Sequence, residues 1–284
     1  MTALGGAESN HLRGALETAT RLGFSGIELV WDGAQAGSRT DLLGAVQEIQ
    51  GAAEDDTNTI SICSIGTHAA LHHANESAWR RAQDDVRFAL GMARDVGAAT
   101  VRVFGYSVAR GEGRSSVISR IGRRLRELAH MGREITGGKT SVVLQNGGSF
   151  VNARELWTII EAAGQTDGAG ICWDAGEAAL EESGGDTSGL AVTTLNSRIR
   201  LARLWDHAGT RKPIELGTGV VQSRHFLERL RGIGYGGWLL YAPPATASDP
   251  SQSTQFLETA AARMKEWLGI KPTPAATEEK AIAK

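Results

Sequence analysis

This 284-residue chain has little cysteine, little proline and almost no excess of either charge, and it lacks long apolar runs. Its two cysteines, Cys63 and Cys172, stand far apart and match no metal or redox spacing. That excludes a disulfide framework and predicts buried thiols in a reducing compartment. Thirty basic against 32 acidic side chains leave a net charge of −2, so no overall field draws in nucleic acid or an anionic membrane. No apolar stretch approaches the length of a membrane span, and the opening Met1-Thr-Ala-Leu-Gly-Gly has neither a basic flank nor an apolar signal core. The expectation is a cytoplasmic protein with no nucleic-acid or membrane partner.

What is present is an alternation. Short apolar, mostly β-branched or aromatic runs occur at 26–31, 59–64, 100–104, 141–145, 170–174, 199–205 and 237–241. Each is bounded by glycine or polar residues, as in strands buried on both faces of a parallel sheet. Between them lie amphipathic patterns at 12–22, 78–96, 120–133, 153–163, 224–230 and 254–268. In the first of these, Leu12, Ala15, Leu16, Ala19 and Leu22 fall on one face. Gly23, Gly97 and Gly234 each follow a helical segment and precede a strand, where a left-handed residue is required. Strand ends recur at the spacing of one strand-plus-helix unit. Seven units are plain, and an eighth strand must come from 1–6. The fold expected is α/β, a (β/α)₈ TIM barrel with a weak or truncated first strand. Residues 1–270 form a single barrel domain and 271–284 a polar, disordered tail. No G-x-G-x-x-G follows an early strand, which argues against an open nucleotide-binding sheet.

In such a barrel the chemistry lies at the C-terminal ends of the strands. The residues there are Trp31, Asp32, Gly66, Thr67, His68, Gly105, Tyr106, Gln145, Asn146, Asp174, Glu177, Trp205, Asp206, His207 and Tyr241. This rim is aromatic and amide-rich, which suits a small carbohydrate or polyol. Strand alternation turns Trp173 and Trp238 toward the helix layer. Glu28 and Arg102 sit inside apolar strands and need partners, so a mutual ion pair is expected. The arginines Arg120, Arg123, Arg124, Arg126 and Arg133 read as a solvated helix face. His68, His72 and His73 have only weak zinc-site character. His68 is expected to face the pocket, with the other two in a solvated loop. Glu215-Leu-Gly-Thr-Gly219 reads as a turn capping the next helix.

The ordered motifs Gly-Phe-Ser-Gly-Ile-Glu-Leu, Thr67-His68, Leu144-Gln-Asn-Gly, Cys172-Trp-Asp-Ala-Gly-Glu177, Leu204-Trp-Asp-His-Ala-Gly and Gly234-Tyr-Gly-Gly-Trp-Leu-Leu-Tyr241 resemble a known group. It is the xylose isomerase-like sugar isomerase/epimerase barrels, of the tagatose 3-epimerase type, over about residues 10–268. The resemblance implies a divalent metal (Mn, Co, Mg or Zn) held by a Glu ending strand five, an Asp ending strand six, a His ending strand seven and a Glu ending strand eight. It also implies two glutamates that move protons. In this chain those positions read Gln145, Asp174, Arg203 and Tyr241. Glu177 replaces a family histidine. His68 and Asn146 match family positions, and Arg211 fits a substrate-contacting arginine.

A Glu/Asp/His/Glu shell carries −3, whereas Gln145, Asp174, Arg203 and Tyr241 sum to zero. A guanidinium cannot ligate a metal; Arg203 is expected to pair with Asp174 instead. Neither Gln145 nor an ordinary tyrosine replaces the acid–base pair. The expectation is therefore a metal-free, catalytically degenerate family member with no cofactor. It binds a small carbohydrate through His68, Gln145, Asn146, Asp174, Glu177, Arg203, Trp205, Arg211 and Tyr241, or serves as a partner subunit or homo-oligomer. The alternative is an active isomerase or epimerase whose metal site is rebuilt from Asp174, Glu177, Asp206 and His207. A third reading is a scaffold with a closed mouth.

Overall fold

The computed structural model describes residues 2–4, 9–31, 44, 46, 60–181, 186–244 and 250–270. Asp32 and the tail expected at 271–284 lie outside the described residues. Eight strands form one sheet: β1 (Thr2–Leu4), β2 (Gly26–Trp31), β3 (Ser61–Ala70), β4 (Thr100–Phe104), β5 (Ser141–Gln145), β6 (Ala169–Asp174), β7 (Ile199–Leu204) and β10 (Trp238–Tyr241). Every pairing between sheet neighbours is parallel, in chain order. Among the described residues no ladder joins β10 to β1, so the barrel is nearly closed, with its seam there. The first strand is short, as expected, and pairs only with Leu29, Val30 and Trp31 of β2. The first half of β2 therefore has no strand partner on the seam side among the described residues.

Helices α1 (Ser9–Leu22), α2 (Glu76–Val96), α3 (Arg114–Thr136), α4 (Ala153–Ala162), α5 (Ala175–Glu181), α6 (Thr187–Leu195), α7 (Ser223–Gly232) and α8 (Pro250–Leu268) connect the strands. Asn75 caps α2 by accepting from the Ala78 amide at 3.0 Å. Gly23, Gly97 and Gly234 adopt φ of 72°, 74° and 67°, the left-handed turns read from the sequence. Two features were not foreseen. α5 and α6 follow β6 in succession, and a two-residue hairpin, β8 (Asp206–His207) with β9 (Pro213–Ile214), follows β7.

Parallel strands alternate their side chains between helix layer and lumen. Leu29, Val101, Leu144, Trp173, Leu204 and Tyr241 belong to the apolar layer between sheet and helices. Trp173 faces this layer as expected, its indole donating to Ser188 Oγ of α6 at 3.3 Å. The lumen floor is a separate cluster of Cys63, Val143, Cys172, Leu201, Leu240 and Ala242, with Trp238 packed against it. Trp238 therefore corrects the expectation that it faces the helices. It pairs in register with Leu201, and side chains in register on parallel strands share a face. Both cysteines are free and buried in this floor, where burial pushes their thiol pKa values well up. They are inert packing groups.

Arg120 and Arg124 are not part of a solvated face. Arg124 is buried over the Trp79 ring, 4.6 Å from its centroid, and donates to the carbonyls of Leu71 and His73. Arg120 bonds Glu112 and the His72 carbonyl. The two hold the β3–α2 loop at the barrel mouth.

Candidate functional site at the barrel mouth

Above the floor the lumen is ionic. Glu28 of β2 receives a two-point contact from Arg102 of β4, Nε to Oε1 at 2.9 Å and Nη2 to Oε2 at 3.2 Å. This is the ion pair expected from two charges in apolar strands. Ser64 Oγ donates to Oε1 at 3.1 Å. Arg203 of β7 reaches across, Nη1 to Glu28 Oε2 at 2.5 Å, and its Nε donates to Asp174 Oδ2 at 3.2 Å. Gln145 of β5 closes the ring, its Oε1 accepting from Arg102 at 2.8 Å and its Nε2 donating to Asp174 Oδ2 at 3.3 Å. Register explains the meeting: Asp174 stands beside Arg203, and Gln145 beside Phe104 and Cys172.

Asp174 Oδ1 is occupied as well, by Trp205 Nε1 at 2.9 Å and the Glu177 amide at 3.1 Å. Asn146 exchanges two bonds with the Asp174 backbone, at 2.6 and 2.9 Å. Trp205 can lie this low only because residue 176 is glycine. A Cβ there would stand 2.1 Å from the indole nitrogen. Gly66 makes the same room for Arg102, whose Nη2 would be 2.5 Å from an added Cβ.

Two carboxylates and two guanidinia balance in this layer, and each is at least 96 % buried. Burial alone would raise the Glu28 pKa, but the charges of Arg102 and Arg203 outweigh it and hold the group down at about 2. Burial works against the Arg203 charge too, yet Glu28 and Asp174 more than offset it, so its pKa moves further up.

The expected site residues are only partly brought together. Gln145, Asn146, Asp174, Arg203 and Trp205 form the buried network. Glu177 and Arg211 meet above it, Oε1 to Nη1 at 2.6 Å, with Arg211 largely exposed. His68 is exposed at the end of β3. Tyr241 is not in the mouth, which corrects its assignment to the strand-eight position. It is in register with Leu204 and packs in the helix layer, while Leu240, in register with Arg203, and Ala242 face the lumen. Sequence reasoning placed the alternation on β10 one residue out, and it left Glu28, Ser64 and Arg102 outside the site. The signal that finds Glu28 and Arg102 is a charged residue flanked by apolar ones in a strand.

The residues proposed for a rebuilt shell are otherwise engaged. The Asp206 carboxylate accepts the amides of His207, Gly217, Gly219 and Val221 at 2.8–3.1 Å. His207 Nε2 contacts the Gly176 carbonyl at 3.1 Å, and Nδ1 accepts from the Gly209 amide at 3.0 Å. Both anchor the 206–221 loop. The Glu215–Gly219 turn does not cap α7, whose N-cap position is Gln222; its Gly217 and Gly219 amides bond Asp206 instead. Among the described residues no three His, Cys, Asp or Glu side chains converge as a metal shell. On the opposite side of the mouth half-buried Phe104 stacks on Tyr106, ring centroids 4.7 Å apart. Trp31, expected at the rim, shares the helix-layer face of Leu29 instead and stacks on Phe88 of α2 at 4.0 Å.

Comparison with known proteins gives a concordant result. The family model described as xylose isomerase-like TIM barrel matches residues 16–267. No curated protein matches the chain. Among solved structures, an L-ribulose 3-epimerase superposes with a TM-score of 0.72 at 18% identity, covering 94% of this chain and 92% of that one. A D-psicose 3-epimerase, solved in the presence of D-fructose, gives 0.73 at 14% identity, with 94% and 96% coverage. An IolI protein with a bound zinc atom gives 0.71 at 13% identity, with 95% and 98% coverage. At these identities the structures speak to the fold.

Proposed function

The chain belongs to the xylose isomerase-like TIM-barrel family, and we propose that it is a metal-independent, catalytically degenerate member that binds a small carbohydrate or polyol at the rim of its C-terminal face. One observation carries the reading: all the acceptor capacity of Asp174 is spent on donors. Oδ1 accepts from Trp205 Nε1 and the Glu177 amide, and Oδ2 from Arg203 and Gln145. A divalent cation such as Mn, Co, Mg or Zn needs oxygen or imidazole lone pairs free of protons. Gln145 Oε1 is held by Arg102, Arg203 supplies only donors, and β10 offers Leu240 and Ala242 to the lumen. The donor set does not fit a metal.

A hydroxylated ligand would meet the groups that reach solvent. Glu177 and Arg211 offer acceptor and donor on one side, and His68 stands at the end of β3. The half-buried faces of Phe104 and Tyr106 can stack on C–H surfaces. Gln145, Asn146, Asp174, Arg203 and Trp205 support that rim from beneath.

Calorimetric titration with a panel of ketoses, aldoses and polyols, with and without EDTA, tests the reading. It predicts saturable binding indifferent to EDTA, weakened by Arg211→Ala, and no turnover of the bound sugar. A second reading, a scaffold or partner subunit with a closed mouth, is favoured by how little of the network is exposed, 7% or less at each member. It predicts no sugar binding at all. EDTA-sensitive isomerisation or epimerisation would support an active enzyme instead.

A further inference from the structure

Tyr106, two residues past the end of β4, has a φ of 51°. The left-handed region is unfavourable for a bulky side chain and is normally taken by glycine or asparagine. Gln165 and Asn196, the other non-glycine residues of positive φ among those described, stand in helix-to-strand turns at the opposite face of the barrel. Conformations of this kind persist where the surroundings over-determine them, and they gather at ligand sites. At Tyr106 the turn after β5 supplies the constraint. The Ser149 amide donates to the Tyr106 carbonyl at 2.7 Å, and a Cβ on Gly148 would stand 2.2 Å from that oxygen. Ser149 Oγ grips the chain again two residues on, accepting from the Val108 amide at 3.2 Å.

What this clamp fixes is a ring. Phe104 shares the lumen side of β4 with Arg102, whose Cζ lies over the Phe104 ring, 5.0 Å from its centroid. Tyr106 stacks on Phe104 with the planes 19° apart, and His72 meets it edge-on at 5.9 Å. Phe104 and Tyr106 are half-buried, and neither belongs to the helix-layer core or to the floor cluster. The pile therefore rises from the buried ionic ring into the mouth, with Tyr106 outermost. The clamping turn also borders the rim's acceptor, since a Cβ on Gly147 would stand 3.9 Å from Glu177 Oε2.

We propose that Tyr106 is a specificity-determining residue, a platform fixed by its left-handed backbone that selects a closed sugar ring over an open-chain polyol. A pyranose carries its axial C–H bonds on a rigid face that can lie on an aromatic ring. An open-chain polyol presents such a face only after several rotatable bonds are frozen, at a loss of affinity. This selectivity rests on the carbohydrate reading of the rim and adds the form of the sugar bound there.

Calorimetry on the full chain tests it with methyl α- and β-pyranosides of glucose, galactose and xylose, whose rings stay closed, beside sorbitol, galactitol and xylitol. The best-bound pyranoside should exceed its alditol by about tenfold, the worth of one aromatic stacking contact. Tyr106→Asn should weaken the pyranoside by that factor, so that the preference for the ring disappears, and Tyr106→Phe, which keeps the ring, should retain it. Tyr106→Asn should also melt above Tyr106→Ala, because both lose the side-chain ring and asparagine accepts the left-handed backbone better. Equal affinity for pyranoside and alditol, or a preference that survives in Tyr106→Asn, overturns the platform while carbohydrate binding stands. A Tyr106→Ala variant that melts no lower than Tyr106→Asn overturns it as well. Binding of neither class by the parent removes the carbohydrate reading itself, and the platform with it.

Discussion

Arg203 and Asp174 sit side by side on β7 and β6, and the Nε of one donates to the Oδ2 of the other at 3.2 Å. The same guanidinium reaches Glu28 on the far side of the lumen. A fixed organic cation thus stands between two carboxylates, and its charge is neutralised without any ion from solution. The arrangement locks the mouth as well, because every member of the ring holds at least two others or a neighbouring loop.

Glu28→Gln should be strongly destabilising. It leaves two buried guanidinia sharing a neutral amide, and breaking one side of a buried pair costs about 3–5 kcal/mol. Urea denaturation measures this. Pairing the change with Arg203→Met should recover part of the loss, because the two effects share one interaction.

Stability should fall in acid through Glu28. Its folded pKa, about 2, lies below the ordinary 4.5. Its contribution is therefore complete above about pH 4.5 and is lost as pH falls toward 2. Melting temperatures of the parent should drop through that window. Those of Glu28→Gln, already lower, should drop less steeply.

Gly176→Ala should lift Trp205 off Asp174. The added methyl would overlap the indole nitrogen, and overpacking of this kind costs about 1–3 kcal/mol. The Trp205 indole N–H resonance, identified by its absence in Trp205→Phe, should exchange slowly with solvent in the parent and quickly in the variant.

Arg124→Leu should loosen the β3–α2 loop. The change removes the stack on Trp79 and the donors to Leu71 and His73, and charge-assisted bonds to carbonyls are worth about 1.5–3 kcal/mol each. Hydrogen exchange should quicken at residues 71–75 while the α3 core stays protected.

The barrel was legible because each strand is a short apolar run closed by glycine or polar residues, and because the left-handed glycines mark the helix ends. The pairing of Arg203 with Asp174 was legible from their places at strand ends. Direction along β10 was not. Trp238, Leu239, Leu240 and Tyr241 are all apolar or aromatic, so the run itself does not say which alternate pair faces the lumen. Register with Leu201 and Arg203 decides it. The lumen network was only half visible, since Glu28 and Arg102 announce that they need partners but not that Gln145 and Arg203 will complete the ring. The roles of Asp206 and His207 were hidden for a similar reason. Their partners are loop amides, which a sequence does not display.

Metal content after purification in Mn²⁺-supplemented medium, read by inductively coupled plasma mass spectrometry beside a calorimetric Mn²⁺ titration, tests the internal cation most directly. The arrangement of Arg203, Asp174 and Glu28 predicts metal far below one ion per chain and no saturable heat. One tightly held ion per chain, released by EDTA and lost in Asp174→Asn, would contradict it.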